Sequence, residues 1–358
     1  MKFFNLDLHI SVIADVKNIF EDFGHSVDNW SISGHAHIMG YDVADVEVVN
    51  QNSWRHIDEK MADEFYKRYE PTLRSYDGFI VTHTPCFSLL YEKFNKPIIV
   101  IASTRYEDPF SADVKRWTKF NDYLRCQIDE EKVIPITNNK YDKEYTELYT
   151  GRKWQHIPSL CEYTGASYTG QNNQYLYSSK LKSIPQIPGL IDKEKALPRG
   201  YSWQQMADYK GIVHIPYNIS TMSIFEQYTA NIPLFFPSWK FLYTLREKFS
   251  SQGVLSEASW NQVHNLDSHS VIFPGLNDPN NFRNTVEIMN WARQADFYDE
   301  EKMPYIQYFN SFEHLKELLQ TTNVNKVSSD MKEHNKKRKK VVYEAWAKVL
   351  ENLEPNRS

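Results

Sequence analysis

Short apolar runs alternate along this chain with longer stretches in which apolar residues recur at the helical period. The first run is Phe3-Phe4-Asn5-Leu6-Asp7-Leu8. Val12, Val16, Ile19, Phe20 and Phe23 then mark one helix face, with Ser11 as the expected N-cap and Gly24 as the stop. The rhythm continues with a strand over Val27–Ile32, a helix over Ile57–Leu73, a strand over Gly78–Thr82 and a helix over Phe87–Phe94. Lys96–Ala102 reads as a strongly apolar strand, Val114–Ile128 as helix and Lys132–Thr137 as strand. Strands this apolar, separated by helices, predict a parallel sheet covered on both faces.

A second series begins near Gly151. Trp154–Pro158, Gln174–Ser178, Gly211–Pro216 and Ile232–Phe236 read as strands, with a helix over Thr221–Ala230. Ser183–Arg199, which holds three prolines and a glycine, reads as loop or short helix, and the turn-rich stretch Gly253–Asn284 as an insertion. Phe312–Leu319 and Asp330–Leu350 close the chain as helices. The pattern predicts an α/β protein of two Rossmann-like domains, 1–150 and 151–329, followed by a C-terminal helical segment, 330–358. Ligands in such sheets sit beyond the carboxyl ends of the strands, so a cleft between two facing halves is the expected site.

Composition narrows the picture. A chain of 358 residues is long for one core and suits two. With 41% hydrophobic and 24% charged residues it is an ordinary globular chain, and a net charge of −5 fits poorly with nucleic-acid binding. Aromatic residues reach 15%, which suits packing against sugars or bases as well as filling a core. Cys86, Cys126 and Cys161 are too widely spaced for a disulfide framework or a metal knot, and a reducing, cytoplasmic setting is expected. Asp7 arrives too early for a secretory apolar segment, and no apolar run is long enough to span a membrane. The basic run Lys336-Lys337-Arg338-Lys339-Lys340 reads as a solvated helix face, with peripheral contact to an anionic membrane as the alternative.

The segment from Gly211 to Ser238 carries most of the chemistry. A strand ends at Pro216, a polar turn follows, and a helix opens at Ser220-Thr221-Met222-Ser223. Helix-terminal amides and neighbouring hydroxyls suit a phosphate or diphosphate. Glu226 follows Ser223 on the same helix face, about one turn (~5 Å) deeper, where a carboxylate suits the paired hydroxyls of a ribose. This strand, polar turn, helix with Glu226, and exit through Ala230-Asn231-Ile232-Pro233 resembles the donor-binding signature of GT-B glycosyltransferases over some thirty residues. Elsewhere the likeness is architectural. The resemblance implies that Glu226 holds the ribose of a nucleoside-diphosphate sugar, that Ser220, Thr221, Met222 and Ser223 form the phosphate turn, and that Lys180, Lys182 or Arg199 supplies a cation. It further implies an acceptor domain at 1–150, a donor domain at 151–329 opened by the strand at Trp154, and a last helix crossing back to the first domain. No cofactor or metal beyond the donor is expected, since helix terminus and cations stabilise the leaving diphosphate. Asn218 stands eight residues before Glu226, where many retaining relatives carry Glu, and leaves the stereochemistry open.

On the acceptor side, polar residues gather at the predicted strand ends: Asp7 and His9, Ser33-Gly34-His35, Thr82-His83, Ser103-Thr104-Arg105 and Asn138-Asn139. An inverting transfer needs a base for the acceptor hydroxyl, and His9 with Asp7 is the first choice, with His35 and Asp15 as alternatives. The sequence holds no GxxxxGK[ST], GxGxxG or GxSxG motif and no helical His pair of the zinc type. The expected activity is therefore sugar transfer from a nucleoside-diphosphate sugar to a hydroxyl of a saccharide or other glycoconjugate. The alternatives are a nucleotide-sugar epimerase of the same fold and a non-catalytic two-lobed binding protein.

Overall fold

The structure, a computed structural model, describes residues 1–40, 42–110, 113–257 and 285–353. Two compact units divide the chain at Ser159/Leu160, and the chain returns to the first unit from Val342.

The first unit runs β1 (Lys2–Asp7), α1 (Ile10–Asp22), β2 (Ser26–Ser31), α2 (Glu59–Leu73), β3 (Gly78–Thr82), β4 (Ile98–Ala102), α3 (Val114–Asp129), β5 (Val133–Thr137), α4 (Lys140–Thr150) and β6 (Gln155–His156). Its six strands lie in the order β2-β1-β3-β4-β5-β6, and every pairing is parallel. All residues of β3 and β4 are buried, as the near-continuous apolar runs require of strands covered on both sides. Asp58 caps α2 by accepting from the Met61 amide at 2.8 Å.

Several local expectations are corrected here. α1 opens at Ile10 with His9 at its cap, not at Ser11, because β1 ends at Asp7 and leaves few residues for the turn. The predicted helix over Phe87–Phe94 is two short 3-10 turns, the first opened by Pro85 and the second closed by Asn95 in the left-handed region (φ 51). The strand near Trp154 does not open the second sheet. Its residues Gln155 and His156 pair with Ile136 and Thr137 of β5.

The second unit runs β7 (Tyr175–Ser178), β8 (Leu190–Asp192), α5 (Lys193–Ala196), α6 (Trp203–Ala207), β9 (Ile212–His214), α7 (Met222–Thr229), β10 (Leu234–Pro237), α8 (Trp239–Phe249), α9 (Thr285–Ala292), β11 (Gln307–Phe309), α10 (Phe312–Thr321) and α11 (Val324–Leu353). Its sheet is again parallel, in the order β8-β7-β9-β10-β11. Both sheets thus have the doubly wound, Rossmann-like character of α/β proteins, and both reverse direction after their second strand. Gly211 at the start of β9 is required sterically: a Cβ there would stand 2.7 Å from the Pro233 carbonyl oxygen. From residue 258 onward, the stretch read as an insertion lies outside the described residues.

α11 belongs to both units. Within the second, Asn335 Nδ2 donates to the Tyr228 carbonyl at 2.8 Å, and buried Arg338 donates to Thr229 Oγ1 at 3.0 Å. Within the first, Trp346 packs edge-on against Phe20 and the Tyr343 hydroxyl donates to Asp22 at 2.5 Å. The basic run on this helix is consequently not a uniformly solvated face, since Arg338 is buried and Lys339 pairs with Glu162 at 2.8 Å. Among the described residues, no helix is long and apolar enough to cross a membrane.

Candidate functional site

In a sheet that reverses its winding, the two strands at the reversal send their following loops apart and leave a crevice at their carboxyl ends. In the second unit those strands are β7 and β9, and a cavity of about 200 Å³ opens there. Ser178 and His214 are in register at the ends of these strands, and both line it. Ser179, Lys180, Lys182, Asp192, Lys193 and Glu194 line it from the β7 and β8 side, and Pro216, Tyr217, Asn218, Thr221, Ser223 and Ile224 from the approach to α7. Thr221 is the N-cap of α7 but makes no side-chain bond to the helix amides. The cavity therefore joins hydroxyls and a helix start, which suit an anion, with three lysines and the carboxylates of Asp192 and Glu194.

Its cations are held by local partners. Lys180 pairs with Glu257 and lies 4.2 Å from the Tyr217 ring centroid. Lys182 pairs with Asp192 and Glu194, each at 3.1 Å. Lys193 Nζ donates to Tyr201 Oη at 3.3 Å. Arg199 is exposed on the loop before α6 and is not among the lining residues. His214 is buried, stacks on Phe236 at 4.8 Å and shares a 2.6 Å hydrogen bond between Nε2 and Gln227 Oε1. Burial lowers its pKa to about 4, with the Lys193 charge adding to the shift and the Gln227 bond opposing it. His214 is thus neutral at pH 7.

The residues of the polar turn separate. Thr221 and Ser223 line the cavity, whereas half-buried Ser220 and Met222 do not. Glu226 is buried outside the cavity lining. Its Oε1 accepts from the Tyr163 hydroxyl at 2.5 Å and its Oε2 from the Trp203 indole N–H at 3.1 Å. Helical geometry explains the division. Ser223 and Gln227, four residues apart, share one face of α7 toward β9, and Glu226 is turned off it toward α6.

The first unit has its own reversal, between β1 and β3. His9 and His83 follow those two strands directly, and their rings stack with centroids 5.1 Å apart and planes 11° from parallel. His83 takes a left-handed backbone (φ 60), a conformation costly for a non-glycine residue and concentrated at functional sites. Its Nδ1 lies 3.1 Å from Thr84 Oγ1. Burial, and then the charge of His9, lowers its pKa to about 3. The His9 pKa is also below the ordinary histidine value. Burial is the larger cause and the charge of His35 the smaller. Asp7 is fully buried and accepts from Ser31 Oγ at 3.1 Å. Burial raises its carboxyl to about 6, against the polar neighbours Asn29 and Ser31, which favour the anion. His35 is exposed, with its amide on Ser33 Oγ at 3.2 Å. Asp15 is buried on α1.

Other strand-end residues serve the interior. Arg105 is buried, 3.5 Å from Glu107 and 3.3 Å from the Tyr145 hydroxyl. Asn139 caps α4 by accepting from the Asp142 amide at 2.8 Å, and Asn138 donates to Ser159 Oγ at 3.2 Å. Sequence reasoning missed Lys193 and His214 as lining residues. His214 was visible as the polar residue ending an apolar strand, whereas Lys193 follows a three-residue strand too short to read.

No protein-family model matches the sequence, and no curated protein matches it. Among solved structures, the chain is similar to the glycotransferase of kitacinnamycin, at 10% identity over 99% of both chains with a TM-score of 0.48. It is also similar to the spinosyn rhamnosyltransferase SpnG complexed with thymidine diphosphate, at 11% identity over 90% of this chain and 99% of that one, TM-score 0.40. A third is the glycosyltransferase SnogD from Streptomyces nogalater, at 11% identity over 82% of this chain and 95% of that one, TM-score 0.38. At such values the likeness by itself decides neither family nor activity.

Proposed function

We propose that the chain is a glycosyltransferase that takes a sugar from a nucleoside-diphosphate sugar and delivers it to a hydroxyl acceptor. The observation that carries this reading is the cavity at the β7/β9 reversal, where Ser178, Ser179, Lys193, Thr221 and Ser223 meet the start of α7. A diphosphate there would accept hydrogen bonds from hydroxyls and ammonium groups, and the positive end of the helix would stabilise charge gathering on the leaving group. Glu226, one turn along α7, is the proposed grip on the ribose.

In the first unit, His9 is the proposed base. A neutral imidazole takes the acceptor proton as the hydroxyl attacks the anomeric carbon, and the depressed pKa keeps it neutral at pH 7. His35 is proposed to tune that imidazole by charge, and Asp7, two residues before His9, is proposed as its acidic neighbour. Saccharides and other hydroxylated glycoconjugates are the proposed acceptor class.

Incubation with UDP-, GDP- and TDP-sugars, without acceptor, tests the reading: slow release of free sugar from one of them is expected. Failure of every donor to bind or to hydrolyse contradicts it.

A further inference from the structure

A second cavity, of about 430 Å³, opens in the first unit between the start of α2 and one face of α3, a size that suits a small molecule. Neither His9 nor His83 lines it. Its wall is apolar: Ile57, Leu89, Phe110, Phe120 and Tyr123, with the Phe120 ring centroid 5.1 Å from that of Phe110 and 6.0 Å from that of Tyr123. The charged groups on its rim sort by partner. Asp58 accepts from the Met61 amide at 2.8 Å, and Glu59 pairs with Lys119 at 2.7 Å. Among the described residues, Lys60, Glu92 and Arg116 enter no salt bridge. Arg116 is half-buried, its guanidinium 4.5 Å from the Phe110 ring centroid, and its Nη2 donates to the Ile57 carbonyl at 2.8 Å. A guanidinium drawn partly out of water and given one carbonyl keeps N–H groups for an anion, and gains more from one than a solvated cation does.

The two ends of the cavity differ. Arg116 and Tyr123 lie seven residues apart on one face of α3, a separation of about 10 Å at ~1.5 Å per residue. Burial holds the Tyr123 hydroxyl above its ordinary pKa, with Ser88 opposing and the charge of Glu92 adding to the shift, which places Glu92 at the Tyr123 end. We propose that this cavity binds a flat aromatic carboxylate, with its carboxylate on Arg116, its rings against Phe110, Phe120 and Tyr123, and a hydroxyl at its far end toward Glu92. A planar guanidinium matches a carboxylate with two parallel hydrogen bonds, and aromatic walls suit an aromatic body. A phosphate dianion fits less well, because Asp58, Glu59 and Glu92 also line the rim. This site is independent of any nucleotide in the second unit, since all of its lining residues belong to the first.

Calorimetric titration of the full chain tests this with three probes: a hydroxynaphthoate bearing its two groups at opposite ends, naphthoate without the hydroxyl, and uncharged naphthamide. Naphthoate is expected to bind the wild type about tenfold or more tighter than naphthamide, and the hydroxyl to add a few-fold that Glu92→Ala removes. Arg116→Gln should lose about tenfold for naphthoate and leave naphthamide within about twofold, and Arg116→Lys should recover part of the loss. A melting curve accompanies each variant. If Arg116→Gln melts early, the wild-type comparison of naphthoate with naphthamide, which needs no mutation, decides. Equal binding of those two probes overturns the proposal, as does the failure of all three to bind the wild type.

Discussion

The two sheets of this chain reverse their winding at equivalent places, yet the strand ends at the two reversals carry opposite equipment. At β1/β3 the strand ends present His9, His83 and Asp7, groups whose proton affinities are displaced chiefly by burial. At β7/β9 they present Ser178, Ser179, Lys180, Lys193, Thr221 and Ser223, and the titratable His214 there is pinned neutral by burial. One winding thus carries titratable groups at one reversal and hydroxyls with lysines at the other. The topology supplies a crevice, and the side chains at the strand ends decide its chemistry.

The sharpest way to break this contrast is to remove the proton acceptor. His9→Ala is expected to lower turnover roughly 10²- to 10⁴-fold with nucleotide affinity unchanged, measured by steady-state kinetics and calorimetry on the same preparation. A matching loss of nucleotide affinity would show that the two crevices do not divide the work.

The next effect concerns stability. With the Asp7 carboxyl raised to about 6 in the fold from an ordinary 3.8, the native state holds its proton more tightly than the unfolded chain does. Above pH 6 both states are ionised and the native state bears the full cost of a buried anion. Below the ordinary value both are protonated and the cost vanishes. Asp7→Asn should therefore stabilise the protein by on the order of 2–3 kcal/mol at pH 8, with the gain shrinking toward pH 4 in denaturant melts. A gain independent of pH would assign it to packing.

A smaller effect sharpens the second crevice. Lys193→Ala is expected to weaken nucleoside-diphosphate binding about five- to thirtyfold, as the loss of one charged hydrogen bond does. Arg199→Ala, an exposed change outside the cavity lining, should leave binding within about twofold.

Much of this was legible in the residues themselves. Apolar runs such as Ile98–Ala102 declared the parallel strands, and a polar turn after an apolar strand located the α7 end of the second crevice. What escaped had physical reasons. β8 and β11 are three residues each, too short for a periodic signal. In α4 the buried face is built from Tyr141, Tyr145 and Tyr149, amphipathic residues that a hydrophobic–polar reading scores ambiguously. The partners of Glu226 come from residues sixty-three and twenty-three positions away, and only the fold brings Tyr163 and Trp203 together. Nothing local distinguishes Asn139 as a helix cap from Asn139 as a ligand contact until α4 is known to follow it.

Everything proposed for the second unit depends on the cavity at the β7/β9 reversal receiving the diphosphate. Its most direct test is calorimetric titration of UDP and GDP into the wild type and into Ser223→Phe, whose ring would fill the space beside Thr221. Binding by the wild type, lost at least tenfold in a variant that melts normally, is the result predicted. Equal affinity in the two proteins would contradict it.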